Sequence, residues 1–455
     1  MKYKIHFSVF LFIISIVLFS FPASASQISL SYVNGKTFSN YSEQKMPDTT
    51  AKSVSVYNKE SGFVIYEKNP KEKIYPASTV KIMTAIVAYE NIPDKSTPIT
   101  VTRSVVNESI GLKLGLQIGD VYTAEDLIRA VLICGSNDAA NQLAEYVSGG
   151  KKGDFIDLMN KKATELGCTS TNYTNVTGLH DANMYTTASD LMKIAIYAYE
   201  LGEIAEWSST ASYTFYPVGN NEDYKLKYNR NDFVFRSSRS TYYYKNAFGL
   251  NSGSTPEAGN CLVTSASKNG MTYICVIMNS PVLEKDSTNY AYIDAKNLLN
   301  TCFSTYEVKK VLDTSSVIAE VPLNLSASYD HVPLFPSSPV SHILPVKSGS
   351  NDISYEKVIY GDEFNAPINQ GDEFGEIIIK YKGDFIIGKS KLVSNKSYER
   401  STVLYTIDKI KKFVTSSFFI VTAITAIVLF GIYTYLSIKS KRRATWINRK
   451  YWFFS

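Results

Sequence analysis

With 455 residues, 45% of them hydrophobic and 20% charged, the chain is long enough for two or more domains with real cores, and this sets disorder aside. Its net charge of +5 is small for that length, and no long basic block occurs outside the C-terminus, so nucleic-acid binding has no support.

The first predicted element is a secretory signal peptide over residues 1–25. Lys2 and Lys4 precede an apolar run from Phe7 to Phe21, and Ala23-Ser24-Ala25 supplies a small-x-small cleavage site near Ala25. The triplet and the polar sequel argue against an uncleaved anchor, so the mature chain is expected to start near Ser26. Residues 26–51, rich in Ser, Thr and Asn, read as a polar leader with order beginning after it. SVSVYNKESGFVIYEKN then alternates apolar and polar residues around Glu60-Ser61-Gly62, the pattern of a strand hairpin.

In STVKIMTAIVAYE the apolar positions Val80, Met83, Ile86 and Val87 recur at helical spacing, with Ser78 placed to cap or open the helix. Further helices are predicted over 124–132, 138–147, 154–166 and 189–201. Tyr242 to Tyr244 read as a packed strand or as a wall of a cleft. CLVTSASKNGMTYICVIMN reads as a hairpin turning at Asn269-Gly270. Together these elements predict an α/β (α+β) domain over 52–303, with helices packed on an antiparallel sheet.

Short β-type runs follow Cys302 and predict a small all-β domain over 306–397, with a turn at Lys382-Gly383-Asp384. A linker at 398–412 leads into an uncharged apolar run, 413–438, long enough for the about 20 residues of a membrane-spanning helix. Lys439, Lys441, Arg442, Arg443, Arg449 and Lys450 outnumber the three lysines before it, which makes 439–455 a basic cytoplasmic tail and turns the rest of the mature chain outward. The five cysteines, Cys134, Cys168, Cys261, Cys275 and Cys302, show no metal-type spacing and read as buried thiols, with Cys261 and Cys275 in neighbouring strand-like runs.

Of four histidines, His6 lies in the signal and His331 and His342 in the β domain, leaving His180 alone in the first domain. A Ser/His/Asp triad or a multi-histidine metal site therefore has little support, and nothing requires a metal or organic cofactor. Ser78-Thr79-Val80-Lys81 instead places a hydroxyl and an amine three residues apart on one helical face. Such a lysine takes a serine proton only when neutral, and burial and nearby positive charge favour that state.

PASTVKIMTA, GLKLGLQIGDVYTAEDLIRAVLICGSNDAANQLAEYVSG, VTGLHDANMYTTASDL and GSTPEAGNCLVTSA together closely resemble the D-alanyl-D-alanine carboxypeptidases, the low-molecular-weight penicillin-binding serine peptidases. APINQGDEFGEIIIKYKGDFIIGKSKLV and the C-terminal anchor extend the resemblance over nearly the whole mature chain. It implies a β-lactamase/transpeptidase-like domain with its active site between a sheet domain and a helical lobe. The implied reaction removes the terminal D-alanine of peptidoglycan stem peptides through an acyl-serine, and β-lactams become expected ligands. It further implies three elements, S-x-x-K, S-x-N and K-T-G. Ser78 and Lys81 supply the first, and Asn137 aligns with the S-x-N asparagine. Gly135 stands where the serine is expected, with Ser136 one residue off, and Asn251-Ser252-Gly253 stands in place of K-T-G.

By that resemblance the catalytic residues are Ser78, Lys81 and Asn137, and the substrate-binding residues are Ser136, Asn251, Ser252 and Gly253. The missing lysine would have supplied positive charge near the substrate carboxylate and the catalytic amine, so reduced or altered activity is expected. Lys245, Arg236 and Arg239 are candidates to replace it, against a solvated surface role for each. His180 is expected to hold a loop by hydrogen bonding. The alternatives are an inactive homologue that binds or scaffolds cell-wall peptides, and a serine hydrolase of another small ester or amide. A β-lactamase ranks below these because no motif assigns a deacylating base.

Overall fold

The computed structural model describes residues 37–41, 44–220, 222–235, 241–282, 288–383 and 385–452. The expected signal peptide and its cleavage site lie outside these residues, as do Arg236 and Arg239. The chain divides into two compact units. One runs up to Lys309 and includes Ile343–Ser348; the other comprises Lys310–His342 and the chain from Gly349 onward.

The first unit is built on five antiparallel strands: β1 (Ser53–Asn58), β2 (Phe63–Lys68), β3 (Ala247–Thr255), β4 (Gly259–Lys268) and β5 (Met271–Ser280). Their order is β2-β1-β5-β4-β3, so the N-terminal hairpin joins the C-terminal strands through the β1–β5 pair and β3 is left at an edge. The β4–β5 turn falls on Asn269 and Gly270, both at positive φ (54° and 74°), as a two-residue hairpin turn requires. β5 is buried along almost its whole length because the helices α5 (Ala188–Glu200) and α6 (Tyr290–Thr305) both pack on it.

Helix α1 (Val80–Asn91) differs from its sequence pattern. The spacing predicts one apolar face, but Val80 through Ala88 are all buried. The cause is that α2 (Ala124–Ile133), α3 (Asn137–Val147), α4 (Lys152–Glu165), α5 and β3 all contact it, leaving no solvent face. Thr123, Ser136 and Thr187 cap α2, α3 and α5 by accepting the N–H of Asp126, Ala139 and Asp190. Ser78 is no such cap. The helix begins at Val80, and Ser78 lies in a preceding 3-10 turn, Ala77–Thr79.

Other expectations are corrected. The polar leader holds an ordered anchor: Phe38 is fully buried, its ring 6.1 Å from Phe63 and 5.5 Å from Tyr306. Tyr242 to Tyr244 form no strand; Tyr242 stacks on Tyr292 at 5.1 Å, and Tyr244 donates to Asn300 Oδ1. Cys261 and Cys275 do lie on the paired strands β4 and β5, but Cys275 faces Thr264 across the ladder, and all five thiols are buried and free.

The second unit contains a six-stranded sheet of β6 (Ala319–Asn324), β7 (His331–Pro336), β8 (Ile353–Ile359), β9 (Phe364–Asn365), β10 (Glu373–Tyr381) and β11 (Phe385–Ser394), in the order β8-β10-β11-β7-β6-β9. The segment expected as a linker is largely a helix, α7 (Thr402–Val414), and the apolar helix α8 (Ser417–Trp452) begins after a break at Thr415-Ser416 rather than at Phe413. Its stretch Ser417–Arg442 has a mean hydropathy of 2.1 and no buried residue, so by length and composition it can cross a membrane.

Phe38→Ala is expected to destabilise the first unit by about 3–5 kcal/mol, the usual cost of emptying a buried phenylalanine site. Denaturant unfolding of the full chain in detergent, followed by tryptophan fluorescence, checks this; a change within about 0.5 kcal/mol would show that the anchor contributes nothing.

Candidate active site

The 3-10 turn that carries Ser78 is unusual in its backbone. Ala77 has φ of +48°, a left-handed conformation that costs a residue with a Cβ roughly 1–2 kcal/mol. The turn is held by Thr79 Oγ1, which donates to Pro76 O at 2.6 Å. This leaves the Ser78 hydroxyl half-buried and free of any capping duty, and Lys81 Nζ donates to it at 3.1 Å.

Lys81 is completely buried. Its amine also donates to Thr177 O at 2.6 Å, and among the described residues it forms no ion pair. An ammonium without water or a carboxylate is costly, so the group gives up its charge more readily. Its pKa is lowered to about 7, chiefly by burial; Cys134 acts in the opposite sense, and the positive charge of Arg230 lowers it further. Burial pushes the Cys134 thiol itself up to about 12, so it is neutral near pH 7 and its opposition is absent there.

The loop that presents Thr177 O is organised by one side chain. Asn175 Oδ1 accepts from Thr177 N, Thr177 Oγ1 and Gly178 N at 3.1, 3.0 and 2.8 Å. Gly178 then packs so tightly that a Cβ there would lie 2.0 Å from Ala77 O. On the other side of the serine, Gly253 of β3 lies so close that a Cβ would fall 2.4 Å from Ser78 N and 2.7 Å from Ser78 Cβ. The stretch Asn251-Ser252-Gly253 therefore lies on an edge strand pressed against Ser78.

Ser78, Ser252, Gly253, Gly135, Arg230 and Tyr292 line one cleft of about 200 Å³, open to solvent. Asn251 adjoins it on β3 but is buried, and its Nδ2 has no hydrogen-bond partner among the described residues. Asn137 is likewise buried; its Nδ2 donates to Ile110 O at 2.7 Å, and its Oδ1 has no partner among the described residues. The expected substrate contact from Ser136 is corrected. Its hydroxyl is fully buried, donates to the Asp138 carboxylate and accepts from Leu114 N and Ala139 N at 3.2 and 3.1 Å. Asp138 in turn accepts from Leu114, Gly115 and Leu116 amides, so Ser136 and Asp138 hold the 114–116 loop instead of reaching the cleft.

Of the proposed replacement cations, Lys245 is exposed and does not line the cleft. Arg230 does, and sequence spacing gave no sign of it. The available signal was the repeat Asn229-Arg230-Asn231, an exposed arginine between two buried asparagines. His180 is half-exposed, 3.8 Å from Glu257 and edge-on to Tyr75, which fits a loop-holding role better than proton transfer to Ser78.

Comparison with known proteins agrees with this geometry. A family model described as D-alanyl-D-alanine carboxypeptidase matches residues 40–282, and one described as penicillin-binding protein 5, C-terminal domain, matches residues 306–400. D-alanyl-D-alanine carboxypeptidase DacF of Bacillus subtilis is 28% identical over 393 residues, covering 86% of this chain and 94% of the relative. DacA of Haemophilus influenzae is 26% identical, covering 77% and 86%. Among solved structures, penicillin binding protein 5 from Haemophilus influenzae aligns with a TM-score of 0.59 and 25% identity, over 78% of this chain and all of that one. The Streptomyces K15 DD-transpeptidase aligns at 0.51 and 26% identity, over 56% and 98%. With the first family model spanning just over half of the sequence around a Ser78–Lys81 pair, this chain belongs to the D-alanyl-D-alanine carboxypeptidase family.

Proposed function

We propose that this chain is a membrane-anchored serine carboxypeptidase that removes the terminal D-alanine from peptidoglycan stem peptides through an acyl-Ser78 intermediate. The observation that carries this reading is the fully buried Lys81 amine, 3.1 Å from the Ser78 hydroxyl and able to lose its proton near neutrality. Neutral Lys81 accepts the Ser78 proton as Oγ attacks the carbonyl of the penultimate D-alanine. The ammonium returns that proton to the departing nitrogen as the peptide bond breaks, and D-alanine leaves. Water then hydrolyses the ester, freeing the shortened peptide and restoring Ser78. A β-lactam acylates the same hydroxyl by opening its ring.

Asn137 and Ser252 are proposed to orient the substrate backbone, and Gly253 to let it approach. Gly135 has no hydroxyl to relay a proton to the leaving group, and Ser136 is committed to the helix cap, so turnover is reduced or altered. The anchor is the apolar helix α8, with the basic C-terminus cytoplasmic and the catalytic unit outside after cleavage near Ala25. An inactive homologue that only binds cell-wall peptides is the outcome to be tested against.

Labelled penicillin is expected to add to Ser78 in the full chain held in detergent, as read by intact mass. Ser78→Ala removes the adduct and Lys81→Met lowers its rate by roughly 10²-fold or more. Failure of any adduct or D-alanine release to form, with peptidoglycan still bound, establishes the binding homologue instead. Because charged Lys81 cannot take a proton, acylation rises with pH through about 7 and levels off above it. A rate that is flat between pH 5.5 and 8.5, a window chosen as roughly 1.5 units on each side, removes Lys81 as the base.

Gly253→Ala forces a methyl into the Ser78 backbone. It is expected to destabilise by about 1–3 kcal/mol and to slow acylation by roughly 10²-fold, since a displacement of that size at the nucleophile spoils its alignment. Thermal melting and adduct formation check the two effects; an unslowed variant shows that the contact is not part of the site.

A further inference from the structure

We propose that the exposed face of the hairpin formed by Ser212–Phe215 and Lys225–Tyr228 is a sugar-binding strip that takes the glycan chain of peptidoglycan and holds the wall polymer beside the cleft. This assignment rests on the proposed substrate, a peptide carried on that polymer, and adds a second point of contact, outside the cleft, for its sugars.

The two strands pair antiparallel, with Ser212 opposite Tyr228 and Phe215 opposite Lys225, and Asn229 N extends the ladder by donating to Ala211 O at 2.8 Å. Residues two apart along a strand share a face, and exposure alternates with that period: Tyr224, Leu226, Tyr228 and Arg230 are exposed, whereas Lys225, Lys227 and Asn229 are covered to a greater degree. Arg230 lines the cleft, so one face runs from the hairpin tip to the cleft, a length of about 20 Å at the rise of a strand. On the partner strand Ser212 and Thr214 lie opposite Tyr228 and Leu226, and just beyond them Tyr216 sits against Tyr224, ring centroids 6.1 Å apart. Towards the cleft, Phe235 packs on Tyr228 at 4.7 Å.

The polarity of this hairpin is inverted. A strand pair packed on one side is expected to turn polar residues to water on the other. Here the packed side carries Phe215, fully buried, and Tyr213, whose hydroxyl donates to Asp126 Oδ1 at 3.1 Å and whose ring lies 4.9 Å from the Arg129 guanidinium of helix α2. Lys225 is on that side too, its amine 5.9 Å from the Tyr122 ring and 3.1 Å from the Asp223 carboxylate. The water-facing side holds Tyr216, Tyr224, Leu226 and Tyr228, each between 45 and 60% exposed, with no charge between Tyr224 and Arg230. Among the described residues the three tyrosine hydroxyls on this side form no hydrogen bond. Folding gains nothing from leaving such a contiguous aromatic face in water, which marks it as a contact surface.

The shape and chemistry of the strip select its occupant. It is two strands wide and about 20 Å long, on the order of 200 Å², well below the ~800 Å² that each side of a stable protein interface buries. Its lysines turn inward and its tip carries the exposed carboxylates Glu222 and Asp223, which disfavours an anionic lipid surface or another polyanion. A narrow, linear polymer of sugars fits. Each sugar presents a face of slightly positive C–H groups to the negative face of an aromatic ring, and its hydroxyl and N-acetyl edges meet the tyrosine hydroxyls and those of Ser212 and Thr214. Because the strip ends at Arg230, sugars held on it bring the peptides they carry to the mouth of the cleft that contains Ser78.

The test is calorimetric titration of the full chain in detergent with peptidoglycan glycan chains stripped of their peptides, and separately with a free stem peptide. The glycan chains are expected to bind saturably. Tyr224→Ala and Tyr228→Ala each weaken that binding by roughly 2- to 10-fold, the range of one aromatic stacking contact, and the double variant weakens it by roughly the product. Tyr224→Phe and Tyr228→Phe retain most of it, because the ring is kept, and affinity for the free peptide is the same in all variants. Thermal melting shows that the variants remain folded. Absence of glycan binding in the parent, or binding untouched by the double alanine variant, overturns the assignment. So does a loss that falls on the free peptide instead of the sugars, and so does a change of oligomeric state in the alanine variants without glycan binding, which makes the face an interface between copies of the chain. Tyrosine-dependent glycan binding in a chain whose Ser78 is never acylated by penicillin supports the assignment and refutes the proposed turnover instead.

Discussion

Lys81 Nζ has no access to water and, among the described residues, bonds two oxygen atoms, Thr177 O at 2.6 Å and Ser78 Oγ at 3.1 Å. Holding a full charge in such a place costs several kcal/mol even after the protein relaxes, and neither partner is anionic to repay it. The structure resolves the conflict by letting the amine lose its proton near neutrality, and much of the first unit exists to keep that arrangement rigid. Helix α1 is wrapped on all sides, which excludes water from Lys81. The 175–178 loop, fixed by Asn175, supplies the one backbone carbonyl that orients the amine toward the serine. Thr84, one turn further along α1, donates to Val176 O at 2.7 Å and ties the same loop down a second time.

Close backbone packing follows from this burial. The nucleophile sits between two chain segments that approach it without side chains, Gly178 on one flank and Gly253 on the other. Either glycine given a methyl would push its segment away, and water would reach the amine. The strained φ at Ala77 belongs to the same compromise: the turn that detaches Ser78 from the helix cap is unfavourable by itself and is held by helix α1 below and the glycine contacts above. Stability is spent here on the position of one hydroxyl.

The parts of this site that depend on short spacing were legible in the sequence. Ser78 and Lys81 are three residues apart on one turn, and their proximity holds whether that turn is 3-10 or α. The hairpin turn at Asn269-Gly270 and helices α2 to α5 were equally plain, because turn chemistry and helical period are local signals, reinforced by Thr or Ser caps at α2, α3 and α5. What was hidden depends on long-range placement. Ser136 was expected to contact the substrate, yet a serine directly before a helix is claimed by the helix N-terminus, and Asp138 strengthens that claim. Phe38 lay in a segment whose composition reads as a linker, and a single buried ring leaves no periodicity to detect. Arg230 is separated from Ser78 by most of the domain along the chain, and it was not among the cations, Lys245, Arg236 and Arg239, that the sequence suggested. Its place at the cleft depends on long-range hydrogen bonds, among them Arg230 N to Ile133 O and Asn229 to Ser208 O, which leave no local pattern.

Burial at position 251 has an energetic consequence of its own. Position 251 is buried, so a lysine there would have to hold its ammonium in low dielectric and would resist being charged. Asn251 avoids that cost at the expense of an amide nitrogen without a partner among the described residues. Arg230, exposed and always ionised, lines the cleft, and its influence on Lys81 is secondary to that of burial. In the K-T-G pattern that this sequence resembles, one lysine serves both the carboxylate and the base. Here burial is the larger cause of the lowered Lys81 pKa, and the positive charge of Arg230 adds to it from the cleft.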